Sequence, residues 1–334
     1  MHIAFFEIQD WEKERLSAVF KDHILHFYDR PLQDTDIDEI KGCEIISIFI
    51  YSHLTRERIE KLEALRLVTT RSTGFDHIDM EAAKERNLIV CNVPSYGENT
   101  VAEHTFALIL ALSRNVHKSH VRRLRNNFSI NGLKGFDLKG KTIGVVGTGK
   151  IGRHTIKIAK GFDMRVIAND AFPNSAAIQE LGFEYVPFEK LLAESDIITL
   201  HTPATKETYH LISEENVKLI KPGCILINTA RGELIDNDAL LWGLDHGILS
   251  GCGLDVLEGE ELIKEEKELL YDSSNETMPE LVKNHILLAR DNVVYTPHIA
   301  FYSEEALERI LSTTIENIDC FAKGTCQNQV NKTA

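Results

Sequence analysis

The sequence lacks the patterns that mark disulfide-rich, metal-binding or nucleic-acid-binding proteins. Its cysteines form no CxxC pair and most lie within apolar stretches, so we expect buried, reduced thiols. They are Cys43, Cys91, Cys224, Cys252, Cys320 and Cys326. There is no HExxH motif, and we expect a site without metal. Lysine and arginine total 37 against 51 acidic residues, and a net charge of -14 argues against a general nucleic-acid or anionic-membrane surface.

Long hydrophobic runs are also missing. The longest strongly apolar run, residues 106–112, is too short to cross a bilayer, and no basic segment followed by an apolar one opens the chain. We therefore expect a cytoplasmic protein without membrane partners. With 334 residues and 43% hydrophobic content, the chain can form sizeable cores. Its length is typical of about two domains.

The sequence does contain a glycine-rich turn between two apolar patterns. A β-prone run, 142–146, is followed by Gly147, Gly149 and Gly152 in GxGxxG spacing, and then by an apolar helical pattern. The first glycine permits a tight turn, the second lets a pyrophosphate approach the backbone, and the third lets the helix pack against the strand. The phosphates would lie on amides at the helix N-terminus.

An acidic residue ends the next predicted strand. Asp170 follows the apolar run 165–169 and can accept hydrogen bonds from both hydroxyls of a ribose. Its charge would repel a 2′-phosphate, and residues 171–173 supply no cation to hold one. The sequence therefore predicts NAD rather than NADP as cofactor.

Apolar runs alternate with helix-compatible segments along most of the chain, which predicts parallel βαβ units. In a first small α/β domain, strands are predicted at 2–8, 45–50, 67–70 and 88–93. In a second, doubly wound domain they are predicted at 142–146, 165–169, 183–186, 197–201, 224–228, 251–255 and 293–296.

Three further segments complete the predicted organisation. One long helix is expected over about 99–125, and the polar tail from Lys323 is expected to fray. The last helix, 304–321, has no strand after it, so we infer that it returns to the first domain. The predicted domains are thus 1–99 with 299–334 for the substrate, and 100–298 for the dinucleotide.

Ligands of open α/β sheets bind beyond the carboxyl ends of the strands. An arginine, Arg231, and a histidine, His298, follow apolar runs there, and acidic residues follow a third. Reduction of a 2-oxo acid needs a guanidinium for the carboxylate, an imidazolium as proton donor and a carboxylate that orients it. The pattern does not choose among Asp255, Glu258 and Glu260, because an acidic run is also typical of a solvated face.

Two other histidines have weaker patterns. His201 ends a predicted strand and could approach the cofactor, whereas His104 lies in an apolar helix and is interpreted as a core or interface residue.

With these residues in view, the chain resembles the D-isomer-specific 2-hydroxyacid dehydrogenase family, and within it most closely the D-lactate dehydrogenase branch. The resemblance covers nearly the full length. It is carried by RSTGFDHID (71–79), VPSYGENTVAEH (93–104), GVVGTGKIG (144–152), LHTPAT (200–205), INTARGELID (227–236), GLDVLEGE (253–260) and TPHIAFYS (296–303). A segment at about 262–292 resembles an acidic insertion of the lactate branch.

The resemblance implies a doubly wound NAD-binding domain, a smaller flavodoxin-like substrate domain and a cleft between them. It also implies that Arg231 binds the substrate and that Glu260 is the partner of His298, the acid/base. Implied substrate contacts are Tyr51, Thr73, Gly74, Tyr96, Arg231 and Phe301. Implied cofactor contacts are Gly147, Gly149, Lys150, Ile151, Gly152, Asp170, His201, Thr202, Pro203, Thr208, Thr229, Ala230, Arg231, Asp255 and Ala300.

The leading hypothesis is an NAD-dependent D-lactate dehydrogenase that transfers hydride reversibly between NADH and pyruvate. The resemblance further implies a homodimer with the long helix in the contact, and no metal. A second hypothesis is a dehydrogenase that prefers bulkier 2-oxo acids such as 2-oxoisocaproate or phenylpyruvate. A third, of a different class, is an NADH-sensing binding protein similar to the corepressors of the family.

Overall fold

The computed structural model describes residues 1–260 and 278–332. The chain divides into two compact units, unit 1 (Met1–Tyr96 and Ser303–Ala334) and unit 2 (Gly97–Tyr302). The predicted domain boundaries, after residues 99 and 298, lie near these divisions. Of the expected insertion at 262–292, residues 262–277 lie outside the described part of the chain.

Unit 1 contains a five-stranded parallel sheet in the order β2-β1-β3-β4-β5. Its strands are β1 (His2–Phe5), β2 (Ile24–Phe27), β3 (Ile45–Ile48), β4 (Leu67–Thr70) and β5 (Ile89–Cys91). The helices between them are α1 (Asp10–Val19), α2 (Ile37–Ile40), α3 (Arg56–Lys61) and α4 (Met80–Glu85). The sequence missed β2, which is an edge strand without a fully buried residue and therefore lacks the apolar run of the central strands.

Unit 2 contains a seven-stranded parallel sheet in the order β12-β11-β10-β9-β6-β7-β8. Its strands are β6 (Thr142–Val146), β7 (Arg165–Asn169), β8 (Glu184–Tyr185), β9 (Ile197–Leu200), β10 (Cys224–Asn228), β11 (Leu249–Leu254) and β12 (Val293–Tyr295). Every residue of β6, β9 and β10 is buried, since helices cover both faces. The strand order reverses between β6 and β9, where open α/β sheets bind ligands.

The helices in the described part of unit 2 are α5 (Glu98–Ser113), α6 (Val116–Leu124), α7 (Lys150–Gly161), α8 (Ser175–Leu181), α9 (Phe188–Glu194), α10 (Asn237–Asp245) and α11 (Met278–Leu288). Short 3-10 turns occur at Val217–Leu219 and Gly232–Leu234. The two sheets confirm the predicted fold class, a doubly wound dinucleotide-binding sheet with a smaller flavodoxin-like α/β unit.

The single long helix expected at 99–125 is wrong. Asn115 adopts a left-handed backbone conformation with φ of +51°, which interrupts the helix between α5 and α6. Its side-chain Nδ2 donates to the Lys134 carbonyl at 3.3 Å, which anchors the break. The two helices also differ in burial, because α5 is largely buried whereas α6 has no buried residue.

The C-terminal segment belongs to unit 1. The last helix, α12 (Glu304–Ala322), contributes Leu311, Ile318 and Phe321 to the core that also contains Ile3 and Phe5. Within the described ranges, no helix combines the length and the apolar character that crossing a membrane requires.

The expectation of a frayed tail is wrong for the described residues after Lys323. The Asn92 amide donates to Asn328, the Val330 amide donates to Val90, and the Asn331 side chain donates to the Leu88 carbonyl at 2.6 Å. The tail thus pairs with β5 through its main chain, and polar composition carries no signal of such pairing.

Candidate active site

The glycine turn after β6 has the shape that a bound pyrophosphate requires. Gly147 has φ of +89°, and a Cβ there would lie 2.6 Å from the His201 carbonyl oxygen. A Cβ on Gly152 would lie 2.0 Å from the Gly147 oxygen. Because Gly152 belongs to α7, only a glycine at this position lets the helix pack this closely against the turn. Around Gly149, the N-cap of α7, no described atom lies within 4 Å of the Cβ position. The turn therefore leaves open space at a helix N-terminus, which fits the phosphates of NAD.

Asp170 holds this turn from the end of β7. Its Oδ2 accepts hydrogen bonds from the Thr148 amide at 2.6 Å and the Thr148 hydroxyl at 2.8 Å, and its Oδ1 accepts one from the Phe172 amide at 2.8 Å. Burial raises the pKa of the Asp170 carboxyl, but these hydrogen bonds outweigh burial and leave the pKa below its usual range. The carboxylate is thus ionised at neutral pH beside the turn.

The sequence interpretation missed Thr148 and Tyr185. The Thr148 hydroxyl also contacts the Tyr185 hydroxyl at 2.6 Å, which in turn accepts the Asn174 amide. Thr148 occupies a variable position of GxGxxG, so the motif gives no signal for it.

The loop after β9 presents its main chain to the glycine turn. The ring of His201 lies between α7 and β9, with Nε2 3.2 Å from the Thr155 hydroxyl and 3.1 Å from the Thr199 hydroxyl. Burial lowers the pKa of His201 to about 3, so the ring is neutral. Further along, the Thr208 hydroxyl donates to the Pro203 carbonyl at 2.6 Å and fixes the loop that begins at Thr202.

Arg231 follows β10 in a tightly bonded turn. The Asn228 side chain donates to the Arg231 carbonyl at 2.7 Å and accepts the Ala230 amide at 3.0 Å. A Cβ on the next residue, Gly232, would lie 2.4 Å from the Leu257 carbonyl. The Arg231 turn is therefore packed directly against the loop that follows β11. Before it, the Thr229 hydroxyl lies 3.0 Å from the Thr105 hydroxyl of α5.

His298 follows β12 in an unusual backbone conformation. Its φ is +54°, a left-handed value that costs a non-glycine residue about 1 to 2 kcal/mol. Asp255, only 1% exposed, compensates for this cost, since its carboxylate accepts the Ile299 amide at 2.9 Å and the Ala300 amide at 2.8 Å. The His298 amide itself donates to the Asp255 carbonyl at 2.8 Å. Asp255 is thus the anchor of the His298 loop.

The His298 ring is oriented by a carboxylate. Nδ1 lies 3.0 Å from Oε1 of Glu260, and both side chains are mostly buried. A proton exchanged with another molecule would therefore be carried by Nε2. The contacts also separate the three acids that the sequence left open. The Asp255 carboxylate accepts backbone amides, the Glu258 carboxylate contacts His210, and among the described residues Glu260 is the one of the three whose carboxylate contacts the His298 ring.

His104 of α5 takes part in the same network. Its Nε2 lies 2.9 Å from the Thr296 hydroxyl, which donates to Oδ1 of Asp255 at 2.5 Å. Burial lowers the pKa of His104, and the nearby Asp255 opposes that effect only in part. A neutral imidazole therefore contacts the Thr296 hydroxyl that donates to Asp255, which is a more specific role than the core or interface position expected.

His210, Asp236 and Glu258 form a second cluster in unit 2. Their ligand atoms lie within 4.8 Å of one another, close enough to hold a metal ion. His210 Nε2 and Glu258 Oε1 are 2.8 Å apart, so a hydrogen bond already accounts for the cluster.

The residues expected to contact substrate in unit 1 lie beyond the carboxyl ends of β3, β4 and β5. Tyr51 lies in a loop held by Glu7, whose carboxylate accepts the Tyr51 amide at 3.3 Å and the Ser52 hydroxyl at 2.6 Å. The buried Arg71 donates to the Glu7 carbonyl at 2.7 Å. The sequence interpretation missed both Glu7 and the packing role of Arg71, since neither position has a local pattern that shows it.

The turn at Thr73 and Gly74 is held on both sides. The Thr73 hydroxyl donates to the Val93 carbonyl at 2.9 Å, and Asn92 donates to the Thr73 carbonyl at 2.8 Å. The Ser72 hydroxyl donates to the Gly74 carbonyl at 2.6 Å. After β5, the carbonyl of Tyr96 accepts Arg309 at 2.7 Å. In unit 2, Phe301 meets the His298 ring edge to face at 6.5 Å.

Comparisons with known proteins agree with this geometry. The family description "D-isomer specific 2-hydroxyacid dehydrogenase, NAD binding domain" matches residues 106–300. The chain is 38% identical to the D-lactate dehydrogenase of Escherichia coli K12 over 99% of its own length and 100% of that protein. It is 39% identical to an aromatic 2-oxoacid reductase of Clostridium sporogenes over 86% of each protein.

A solved structure extends the similarity to the whole fold. The D-lactate dehydrogenase of Aquifex aeolicus, complexed with NAD and lactic acid, superposes with a TM-score of 0.89 at 37% identity and covers 99% of this chain and 100% of that one. The fold and the glycine turn define an NAD-dependent oxidoreductase that acts on CH–OH groups. More specifically, the chain belongs to the D-isomer-specific 2-hydroxyacid dehydrogenase family. The predicted family and cofactor are confirmed.

Replacing Asp170 with asparagine should weaken the preference for NADH over NADPH. The change removes the charge that repels a 2′-phosphate and keeps an acceptor oxygen for the Thr148 amide. We expect the ratio of kcat/KM for NADH to kcat/KM for NADPH to fall about tenfold or more. Glu184→Gln on the neighbouring strand should leave the ratio unchanged. An unaltered ratio in Asp170→Asn would contradict the assignment.

Proposed function

We propose that the protein is an NAD-dependent D-lactate dehydrogenase that reduces pyruvate and oxidises D-lactate. The observation that carries the proposal is the pairing of His298 with Glu260 at 3.0 Å, at the same sheet edge where Arg231 follows β10. The full-length similarity to two D-lactate dehydrogenases supports pyruvate as the substrate. Its similarity to an aromatic 2-oxoacid reductase favours a second candidate, a reductase of bulkier 2-oxo acids.

Each of the three side chains has a distinct task in this proposal. The Arg231 guanidinium holds the substrate carboxylate by two parallel hydrogen bonds and polarises the adjacent carbonyl. Bound NADH supplies the hydride that reaches C2 of the 2-oxo acid. His298 gives the proton from Nε2 to the carbonyl oxygen, and Glu260 holds the ring at Nδ1 so that Nε2 points to the substrate. In lactate oxidation the same nitrogen takes the proton back.

The remaining contacts, which the family resemblance implies, are part of the same proposal. We assign to Tyr51, Thr73, Gly74, Tyr96 and Phe301 contacts with the substrate. Cofactor contacts are assigned to Gly147, Gly149, Lys150, Ile151, Gly152, Asp170, His201, Thr202, Pro203, Thr208, Thr229, Ala230, Arg231, Asp255 and Ala300. For His201 the carbonyl, rather than the ring, faces the glycine turn.

We propose that the protein works in the cytoplasm, and its thiols support this location. All six cysteines are free, and Cys43, Cys91, Cys224 and Cys252 are buried. Burial raises the pKa of Cys43 to about 11 and that of Cys252 to about 12. Such thiols stay protonated and unreactive, which suits a reducing compartment.

A substrate panel tests the proposed activity. NADH oxidation is measured with pyruvate, 2-oxoisocaproate, phenylpyruvate and hydroxypyruvate, and the configuration of each product is determined. We expect the highest kcat/KM with pyruvate and a product of D configuration. A higher kcat/KM with phenylpyruvate would replace D-lactate dehydrogenase by the second candidate. L-products, or no turnover with any acid, would contradict the dehydrogenase assignment.

We also propose a homodimer formed through α6 and the loop that follows it. Apolar side chains are unusually exposed there, with Phe128 77% and Ile130 82% exposed in the single chain. Val116, Val121 and Leu124 of α6 are exposed as well. Several exposed apolar side chains within one short segment are typical of a protein contact, and a second copy of the same chain is the commonest partner.

Charged residues in this surface should separate the subunits. We expect light scattering to show a dimer for the wild type and a monomer for the double variant Phe128→Asp, Ile130→Asp, because each new carboxylate would have to be desolvated in the contact. Leu219→Asp, at an exposed leucine elsewhere in unit 2, should remain a dimer. A monomeric wild type would overturn the proposal.

A further inference from the structure

Two buried asparagines hold the main chain next to Glu260. Asn237 is the first residue of α10 and is 1% exposed, and Asn284 of α11 is fully buried. The side-chain Nδ2 of Asn237 donates to the Glu258 carbonyl at 3.2 Å and to the Asn284 side-chain oxygen at 3.0 Å. The side-chain Nδ2 of Asn284 donates to the Glu258 carbonyl at 3.1 Å and to the Gly259 carbonyl at 3.3 Å. Both N–H groups of each amide are therefore used.

These bonds fall on a turn that ends at Glu260. The Glu260 amide donates to the Leu257 carbonyl at 3.1 Å, and Gly259 has φ of +68°, as the third position of a type II turn requires. Gly232 packs against the Leu257 end of this turn. The asparagines satisfy the carbonyls in the middle of the turn, so the turn is held at its Leu257 end and in its middle, next to the residue whose side chain meets His298.

Docking of α11 on α10 alone does not account for the asparagine pair. Lys283, the neighbour of Asn284, joins the two helices through an ion pair of 2.6 Å with Asp238. Burying two amide side chains is costly unless they are satisfied, and a leucine pair would join two helices without that cost. The amides differ from such a pair in donating to the carbonyls of Glu258 and Gly259.

We propose that Asn237 and Asn284 are positioning residues that set the place of the Glu260 carboxylate, and through it the orientation of the His298 ring. This inference rests on the proposed function of Glu260 as the partner of His298. Neither asparagine is assigned a contact with substrate or cofactor. Their effect on turnover passes through the turn at 257–260.

The sequence carries a weak signal for Asn284. It follows Leu281 by one helical turn and precedes Leu287 by another, so it lies on the buried face of α11. A polar residue on such a face either has a structural partner or takes part in function, and only the contacts show which carbonyls it serves.

The test is a double-mutant cycle between Asn284→Leu and Glu260→Gln. With pyruvate and NADH, we expect Asn284→Leu to lower kcat about tenfold or more, because a small displacement of a catalytic group is costly, while KM for NADH stays unchanged. In the Glu260→Gln background, Asn284→Leu should cost much less, since no carboxylate remains to be positioned. Equal losses in both backgrounds would contradict the inference.

A pH profile gives a second readout that loss of packing alone would not move. Reduction requires a protonated imidazole, and a displaced carboxylate stabilises that form less. The loss of kcat/KM with rising pH should therefore begin at lower pH in Asn284→Leu than in the wild type. Lys283→Met, which removes the ion pair with Asp238, should keep the wild-type profile.

The outcomes separate the two claims. If Glu260→Gln turns over as fast as the wild type, the proposed role of Glu260 fails. If Glu260→Gln is impaired but Asn284→Leu is not, only the positioning role fails. Should Asn284→Leu not fold, Asn284→Ala and Asn237→Ala are measured in the same cycle, and wild-type kcat with an unshifted pH profile in both would overturn the inference.

Discussion

The site depends above all on the hydrogen bonds of one buried carboxylate. Asp255 accepts the amides of Ile299 and Ala300 and so holds His298 in a left-handed conformation that the residue would not adopt alone. Hydrogen bonds to a charged acceptor contribute about 1.5 to 3 kcal/mol each, so the two bonds together exceed the cost of that conformation. Asp255 thus decides where the imidazole lies, and Glu260 then decides which ring nitrogen is left for chemistry.

The sheet of unit 2 separates the turn that fits the phosphates from the residues proposed for chemistry. The turn after β6 and Asp170 after β7 lie on one side of the point where the strand order reverses, and they suit the cofactor. The residues proposed for chemistry, Arg231, Glu260 and His298, follow strands on the other side. Because the halves use different strands, substrate preference can change without altering the turn that fits NAD. This separation is consistent with relatives that are named for different substrates, D-lactate in one case and aromatic 2-oxo acids in another.

The sequence predicts well those features that local chemistry determines. Strands 142–146, 165–169 and 224–228 agree with the structure at both ends, because strands buried on two faces are continuous apolar runs bounded by polar residues. Strand β2 was missed because an exposed edge has no such run, and the break at Asn115 depends on one backbone torsion. Arg231 and His298 could be proposed from their place after strands. Choosing Glu260 over Asp255 and Glu258 from the residues alone was impossible, because their partners come from distant segments.

The most direct measurement is the kcat/KM of the Arg231→Lys variant with pyruvate and NADH. A lysine keeps the positive charge but cannot form two parallel hydrogen bonds with a carboxylate, so we expect a loss of about 2 to 4 kcal/mol in transition-state stabilisation, roughly 30- to 900-fold. Arg165→Lys, at an exposed arginine of β7, should match the wild type. Turnover by Arg231→Lys within about threefold of the wild type would contradict the account.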